Sequence, residues 1–82
     1  MTPYFTKRIQ TQNGFVNFYF NRIYTVEGIR YHVSCFDKSS KVYMFNMAEI
    51  AGQWLLSHQS KVPQWIKKLG AELETAILES FA

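Results

Sequence analysis

The chain has little of what enzymes and metal sites are made from. It holds one cysteine, Cys35, and two histidines, His32 and His58. A lone cysteine excludes an internal disulfide and fits a reducing compartment. One Cys and two His are too few for a structural zinc site made of those ligands alone. His32 and Cys35 stand three apart on a strand-like run, so they face opposite ways and cannot form a nucleophile–base pair. Acidic residues number only six. Glu27 and Asp37 fall at opposite ends of one strand, too far apart for paired acid/base work. Gly14, Gly28, Gly52 and Gly70 form no phosphate-cradling loop. No run approaches the roughly 18 apolar residues of a membrane span. The first residues carry Lys7 and Arg8 with no apolar run behind them, so no secretory signal is read there. The expectation is a non-enzymatic cytoplasmic protein. No catalytic residue, metal, cofactor or small-molecule substrate is indicated, and no membrane contact.

What is present is apolar and aromatic. The 82 residues are 48% hydrophobic and 17% aromatic, which excludes disorder. They make one domain, 1–82, and a chain this short buries only roughly 60–65% of its extended surface. Stability then rests on a rich core or on association. The net charge is +3, and it is uneven. Residues 1–62 carry seven Lys/Arg against Glu27, Asp37 and Glu49, whereas 63–82 carry Lys67 and Lys68 against Glu72, Glu74 and Glu79. The strand-rich part is the basic part, which permits an anionic partner without requiring one.

Strand patterns fill residues 4–57. Tyr4 to Gln12 reads as an edge strand, and Asn13-Gly14 predicts a type I′ hairpin turn. From Phe15 to Val26, Val16, Phe18 and Phe20 alternate with polar or aromatic neighbours. The alternation blurs at Arg22, Ile23 and Tyr24, where a bulge or bend is expected. After a turn at Glu27-Gly28, Ile29, Tyr31, Val33 and Cys35 alternate cleanly with Arg30, His32, Ser34 and Phe36. Asp37 to Ser40 is a turn by composition. Val42 to Met47 and Gln53 to Ser57 complete the strands around a turn at Glu49 to Gly52, and His58 to Lys61 is a connection. Such short connections allow only an antiparallel meander.

The last stretch changes period. Val62, Trp65, Ile66, Leu69, Leu73, Ala76, Ile77 and Ser80 form one stripe at helical spacing, and Pro63 suits a first helical position. A single helix, 63–81, is predicted. Its charges run against its dipole, with Lys61, Lys67 and Lys68 early and Glu72, Glu74 and Glu79 late. The fold class is therefore α+β: a two-layer, four- to five-stranded antiparallel meander packed on one C-terminal helix.

Several stretches carry a pattern-level likeness: Ile29-Arg30-Tyr31-His32-Val33, the turn from Asp37 to Lys41, Tyr43-Met44-Phe45-Asn46-Met47, Trp54, and Val62-Pro63-Gln64-Trp65-Ile66. Together they make residues 15–80 resemble small uncharacterised bacterial domains of Bacteroidetes-type genomes, a meander followed by a helix. That resemblance implies the fold and no activity. The strand–strand–strand–strand–helix order is also similar to the positive-cofactor type of transcriptional cofactor. Members of that group bind single-stranded DNA as dimers, and the likeness is one of topology only.

One helix can cover one sheet face. The other is left with aromatic and basic residues, and the candidate binding face is Tyr19, Arg22, Arg30, His32, Phe36 and Lys41. Small domains with spare apolar faces form two-fold dimers by face or edge packing. The first expectation is a homodimeric protein–protein interaction module. The alternative is a single-stranded nucleic-acid binder, with Tyr19 and Phe36 stacking on bases while Arg22, Arg30 and Lys41 follow phosphates. Cys35, in phase with Tyr31 and Val33, is expected in the core.

Overall fold

In the computed structural model, which describes residues 3–57 and 61–81, the alternating stretches form five strands in chain order and in spatial order. They are β1 (Tyr4–Thr11), β2 (Gly14–Thr25), β3 (Gly28–Phe36), β4 (Val42–Ile50) and β5 (Gln53–Leu56). Every neighbouring pair is antiparallel. The expected antiparallel α+β meander of four to five strands is observed with five, and the helical layer follows it. Among the described residues no helix is long and apolar enough to cross a membrane.

The helical stripe is intact but the helix is not continuous. One turn, α1 (Gln64–Lys67), is followed by α2 (Gly70–Ser80). Between them Leu69 takes φ −92°, ψ 12°, and its N–H bonds back three residues to Ile66 at 2.9 Å. That tightened turn lets Val62, Ile66, Leu69, Leu73, Ala76 and Ile77 all stay buried. The break also removes most of the charge conflict expected of one long helix. Lys67 closes α1, and Glu72 falls in the first turn of α2, each at the end its charge favours. Glu79 is the exception, and it is paired with Lys7 of β1 at 3.3 Å.

The core lies between α2 and one sheet face. Phe18, Phe20, Tyr31, Val33, Phe45, Met47 and Trp54 meet Ile66, Leu73 and Ile77. The rings pack by geometry as well as area: Phe5 stacks on Phe20 at 4.5 Å, and Tyr31 meets Trp54 edge-on at 5.3 Å. Edge-on contacts suit the aromatic quadrupole. Cys35 is in this core, fully buried.

Turn chemistry departs from expectation in an orderly way. Asn13 does not take positive φ, whereas Gly14 does, at 88°. The loop is therefore a type I turn closed by a left-handed glycine rather than a type I′ turn. The next hairpin repeats it. In Thr11-Gln12-Asn13-Gly14 and Thr25-Val26-Glu27-Gly28, the Thr Oγ1 donates to the Gly carbonyl at 2.8 Å in both. Each Thr Oγ1 also accepts the N–H two residues on. The type I′ turn lies instead at Ala51-Gly52, with φ of 54° and 83°. β4 runs on to Ile50, past the expected end at Met47.

Candidate functional site

Because strand side chains alternate, the register assigns every residue a face. Arg22 is in phase with Phe18 and Phe20, and β2–β3 pairing is unbroken from Tyr19↔Ser34 to Thr25↔Gly28. The expected bulge is absent, so Arg22 points into the helix side and not onto the candidate face. It is buried, at 6% exposure. Its Nε donates to the Tyr31 hydroxyl at 3.0 Å, and its guanidinium lies over the Tyr31 and Phe81 rings at 5.5 and 5.2 Å. Hydrogen bonding to the Tyr24 and Tyr31 hydroxyls raises its pKa against the opposing pull of burial, so it stays a cation. Its Nη2 is buried without a hydrogen-bond partner among the described residues. It is a core cation and does not touch solvent anions.

Lys41 is also elsewhere. Its ammonium lies 5.3 Å over the Tyr43 ring, and Tyr43 packs against the core on the helix side. Its backbone N–H helps hold the Asp37 turn: Asp37 Oδ1 accepts from Lys41 at 2.9 Å and Ser39 at 2.8 Å, and Oδ2 accepts from the Tyr43 hydroxyl at 3.1 Å. The Lys41 amide, ahead of the other donors, holds the Asp37 carboxyl below its ordinary range.

The other four candidates share the outer face. Tyr19 and Phe36 meet edge-on at 6.3 Å and remain exposed. Arg30 is paired with Glu27 at 2.6 Å. His32 Nδ1 lies 2.9 Å from Asn46 Oδ1 on the neighbouring strand. The face also holds residues outside the predicted set. Arg8 stacks over Phe15 at 4.4 Å. Val42, Met44, Ile50 and Leu55 are exposed, and Ile23 and Ala48 are half-buried. Alternation along β4 already sets Val42 and Met44 on this face, and strict parity from Phe18 adds Phe15 and Ile23 and excludes Arg22.

Laid out by register, the outer face has three bands. A polar row crosses it: Tyr4 opposite Asn21, Asn21 opposite His32, His32 opposite Asn46. On one side Phe15, Tyr19, Phe36, Val42 and Met44 lie among Thr6, Asn17 and Ser34. On the other lie Ile23, Ala48, Ile50 and Leu55, around a hollow of about 430 Å³ that Arg30 helps to line.

Chemistry is sparse. Burial, then the Asp37 charge, pushes the Cys35 thiol up to about 11, so it is protonated at neutral pH and is no nucleophile. Among the described residues no cluster of His, Cys, Asp and Glu could hold a metal ion. His58 lies outside the described residues. Compared with protein-family models, curated proteins and solved structures, the chain matches none. Fold and face together define a two-layer α+β domain with one sheet face of mixed apolar and polar side chains that no described helix covers.

Proposed function

We propose that this protein is a non-enzymatic protein–protein interaction module that forms a homodimer through the outer sheet face. The observation that carries the reading is the contrast between apolar supply and charge supply on that face. Tyr19, Phe36, Val42, Met44, Ile50 and Leu55 are exposed together, a concentration that marks association surfaces. The cations are meanwhile turned inward or occupied: Arg22 is in the core, Lys41 lies over Tyr43, Arg30 is paired with Glu27, and Arg8 is on Phe15. A stacking platform for nucleic acid needs free cations along a phosphate track. The extent of the face is sufficient, since the two longer molecular dimensions are 35 and 26 Å and a standard interface buries roughly 800 Å² per partner.

Light scattering after size exclusion tests this. The wild-type chain is expected at twice the chain mass at micromolar concentration, and Tyr19→Ala with Phe36→Ala at the monomer mass. A monomer that binds mixed-sequence single-stranded DNA or RNA at about 50 mM salt and releases it at about 200 mM would give the face to nucleic acid instead.

A further inference from the structure

We infer that β1 is a docking edge, to which an extended basic segment of another polypeptide adds as a further strand. One row of the guest's side chains then lies against the flank of α2. This surface is separate from the outer face and does not depend on dimerisation.

Backbone phase identifies the edge. β1 pairs only with β2, so its other side ends the sheet. Along an antiparallel pair, hydrogen-bonded positions fall on alternate residues. The Arg22 N–H donates to the Pro3 carbonyl at 2.6 Å, which continues the register of β1 with β2 by one step. Phe5, Lys7 and Ile9 therefore bond to β2, and the N–H and C=O groups of Tyr4, Thr6, Arg8 and Gln10 point outward. All four residues are exposed, and these groups have no partner among the described residues. Such a row is a template for another strand. The opposite edge differs. β5 has only four residues, and Glu74 takes its outward Trp54 N–H.

The open edge has room for side chains beside it. A groove of about 350 Å³ runs between Lys7 and Ile9 on one wall and Ala71, Glu72, Thr75 and Glu79 on the other. Guest residues opposite Phe5, Lys7 and Ile9 point to this side, because paired residues on neighbouring strands share a face. In strand addition the main chain gives affinity, and pockets for alternate side chains give specificity.

Charge selects the guest. Lys7 is neutralised by Glu79, and the Arg8 guanidinium lies over Phe15 on the outer face. Glu72 has no ion pair among the described residues, so the groove presents an uncompensated carboxylate to a lysine or arginine of the guest. A second copy is the poorer guest. The two-fold register that pairs Tyr4 with Gln10 and Thr6 with Arg8 sets Lys7 directly on Lys7, and like charges placed so are destabilising. An inward-pointing charge is one of the devices that keep edges from pairing with themselves.

The test pans a random library of peptides as long as β1 against the chain, then measures the recovered peptides on variants. Thr6→Pro deletes an outward N–H and leaves the bonds to β2 whole, a position where an edge strand accepts proline. It is expected to weaken the recovered peptides at least about tenfold, because a guest carbonyl is left unpaired. Glu72→Lys is expected to weaken them too, and to prefer the same peptides once their basic residue is exchanged for Glu. Circular dichroism checks that both variants fold. In the wild-type chain, bound peptide is expected to slow hydrogen exchange at the amides of Tyr4, Thr6, Arg8 and Gln10, which needs no variant. Recovery of no peptide overturns the proposal, as does recovery of peptides that leave those amides unprotected and bind Thr6→Pro as well as wild type. Peptides lost instead with Tyr19→Ala and Phe36→Ala would belong to the outer face and also overturn it. Protection of the same amides by rising protein concentration alone would give the edge to a second copy and overturn the choice of guest.

Discussion

The two faces of this sheet are cut from the same strands, one residue out of phase, and they behave as different materials. On the inner face Phe18, Tyr31, Val33 and Met47 are fully excluded from water under α2. Even the charge there, Arg22, is enclosed by Tyr31 and Phe81. On the outer face residues of the same chemical types stay exposed, divided by a row of Asn and His. Apolar content alone therefore does not make a core. What differs is that a helix covers one face while nothing in the chain among the described residues covers the other. At β5, Glu74 of α2 accepts the outward Trp54 N–H at 2.8 Å, blocking strand addition in the way edge strands are usually protected.

The comparison can be broken most severely at its centre. Phe18→Ala should lose roughly 3–5 kcal/mol, because the truncation leaves a cavity in the core. Tyr19→Ala, its outward neighbour, should lose no more than about 1.5 kcal/mol, the worth of an edge-on aromatic pair. Urea denaturation of both, at a concentration where the chain is monomeric, reads the difference. Equal losses would mean that the outer face is packed too.

Glu74→Ala should cost about 1.5–3 kcal/mol, since a charged acceptor leaves a strand N–H unpaired. Glu74→Gln, which keeps an acceptor, should cost less in the same denaturation assay.

The core thiol gives a pH signature. Cys35 is raised from 9.0 to about 11 in the folded chain, so folding favours the protonated form. The stability this contributes is full below pH 9, and it is lost as pH rises towards 11. Cys35→Ala should flatten that fall relative to wild type when melting is followed from pH 8 upward, because no thiolate is then excluded from the core.

Two glycine exchanges, in opposite directions, should have the smallest effects. Ala51 holds φ 54° in its turn, a strained region for a residue with Cβ, and Ala51→Gly should gain about 0.5–1 kcal/mol. Gly70 opens α2 with nothing within 4 Å of an added Cβ. Gly70→Ala should gain roughly 0.4–1 kcal/mol by narrowing the unfolded ensemble. Melting temperatures check both.

Much of the fold was legible because it depends on period. Alternation located all five strands, and the spacing of Ile66, Leu73 and Ile77 located the helical layer. The break at Leu69 was not legible, since the stripe continues across it and the bend shows only in backbone dihedrals. Asn13-Gly14 misled on turn type because a single left-handed glycine fits the same two letters, and Ala51-Gly52 carries no conventional type I′ signal. Of the candidate face, Tyr19, Arg30, His32 and Phe36 were placed correctly by parity. Arg22 was misassigned because an arginine on a strand suggests solvent and a supposed bulge excused the phase. The buried partner that makes its inward position tolerable, the Tyr31 hydroxyl, comes from another strand, where local pattern cannot see it. Lys41 was in a turn, where parity gives no face. Val42 and Met44 were also set on this face by alternation along β4, whereas Arg8 was missed for want of strict counting along β1.

The outer face is the feature to test most directly, by sedimentation equilibrium of the wild-type chain across micromolar concentrations. A single species at twice the 9.6 kDa chain mass, reduced to the chain mass by Tyr19→Ala with Phe36→Ala, is the predicted result. A wild-type chain that stays at its own mass throughout would contradict it, and the exposed apolar bands would then belong to a different partner.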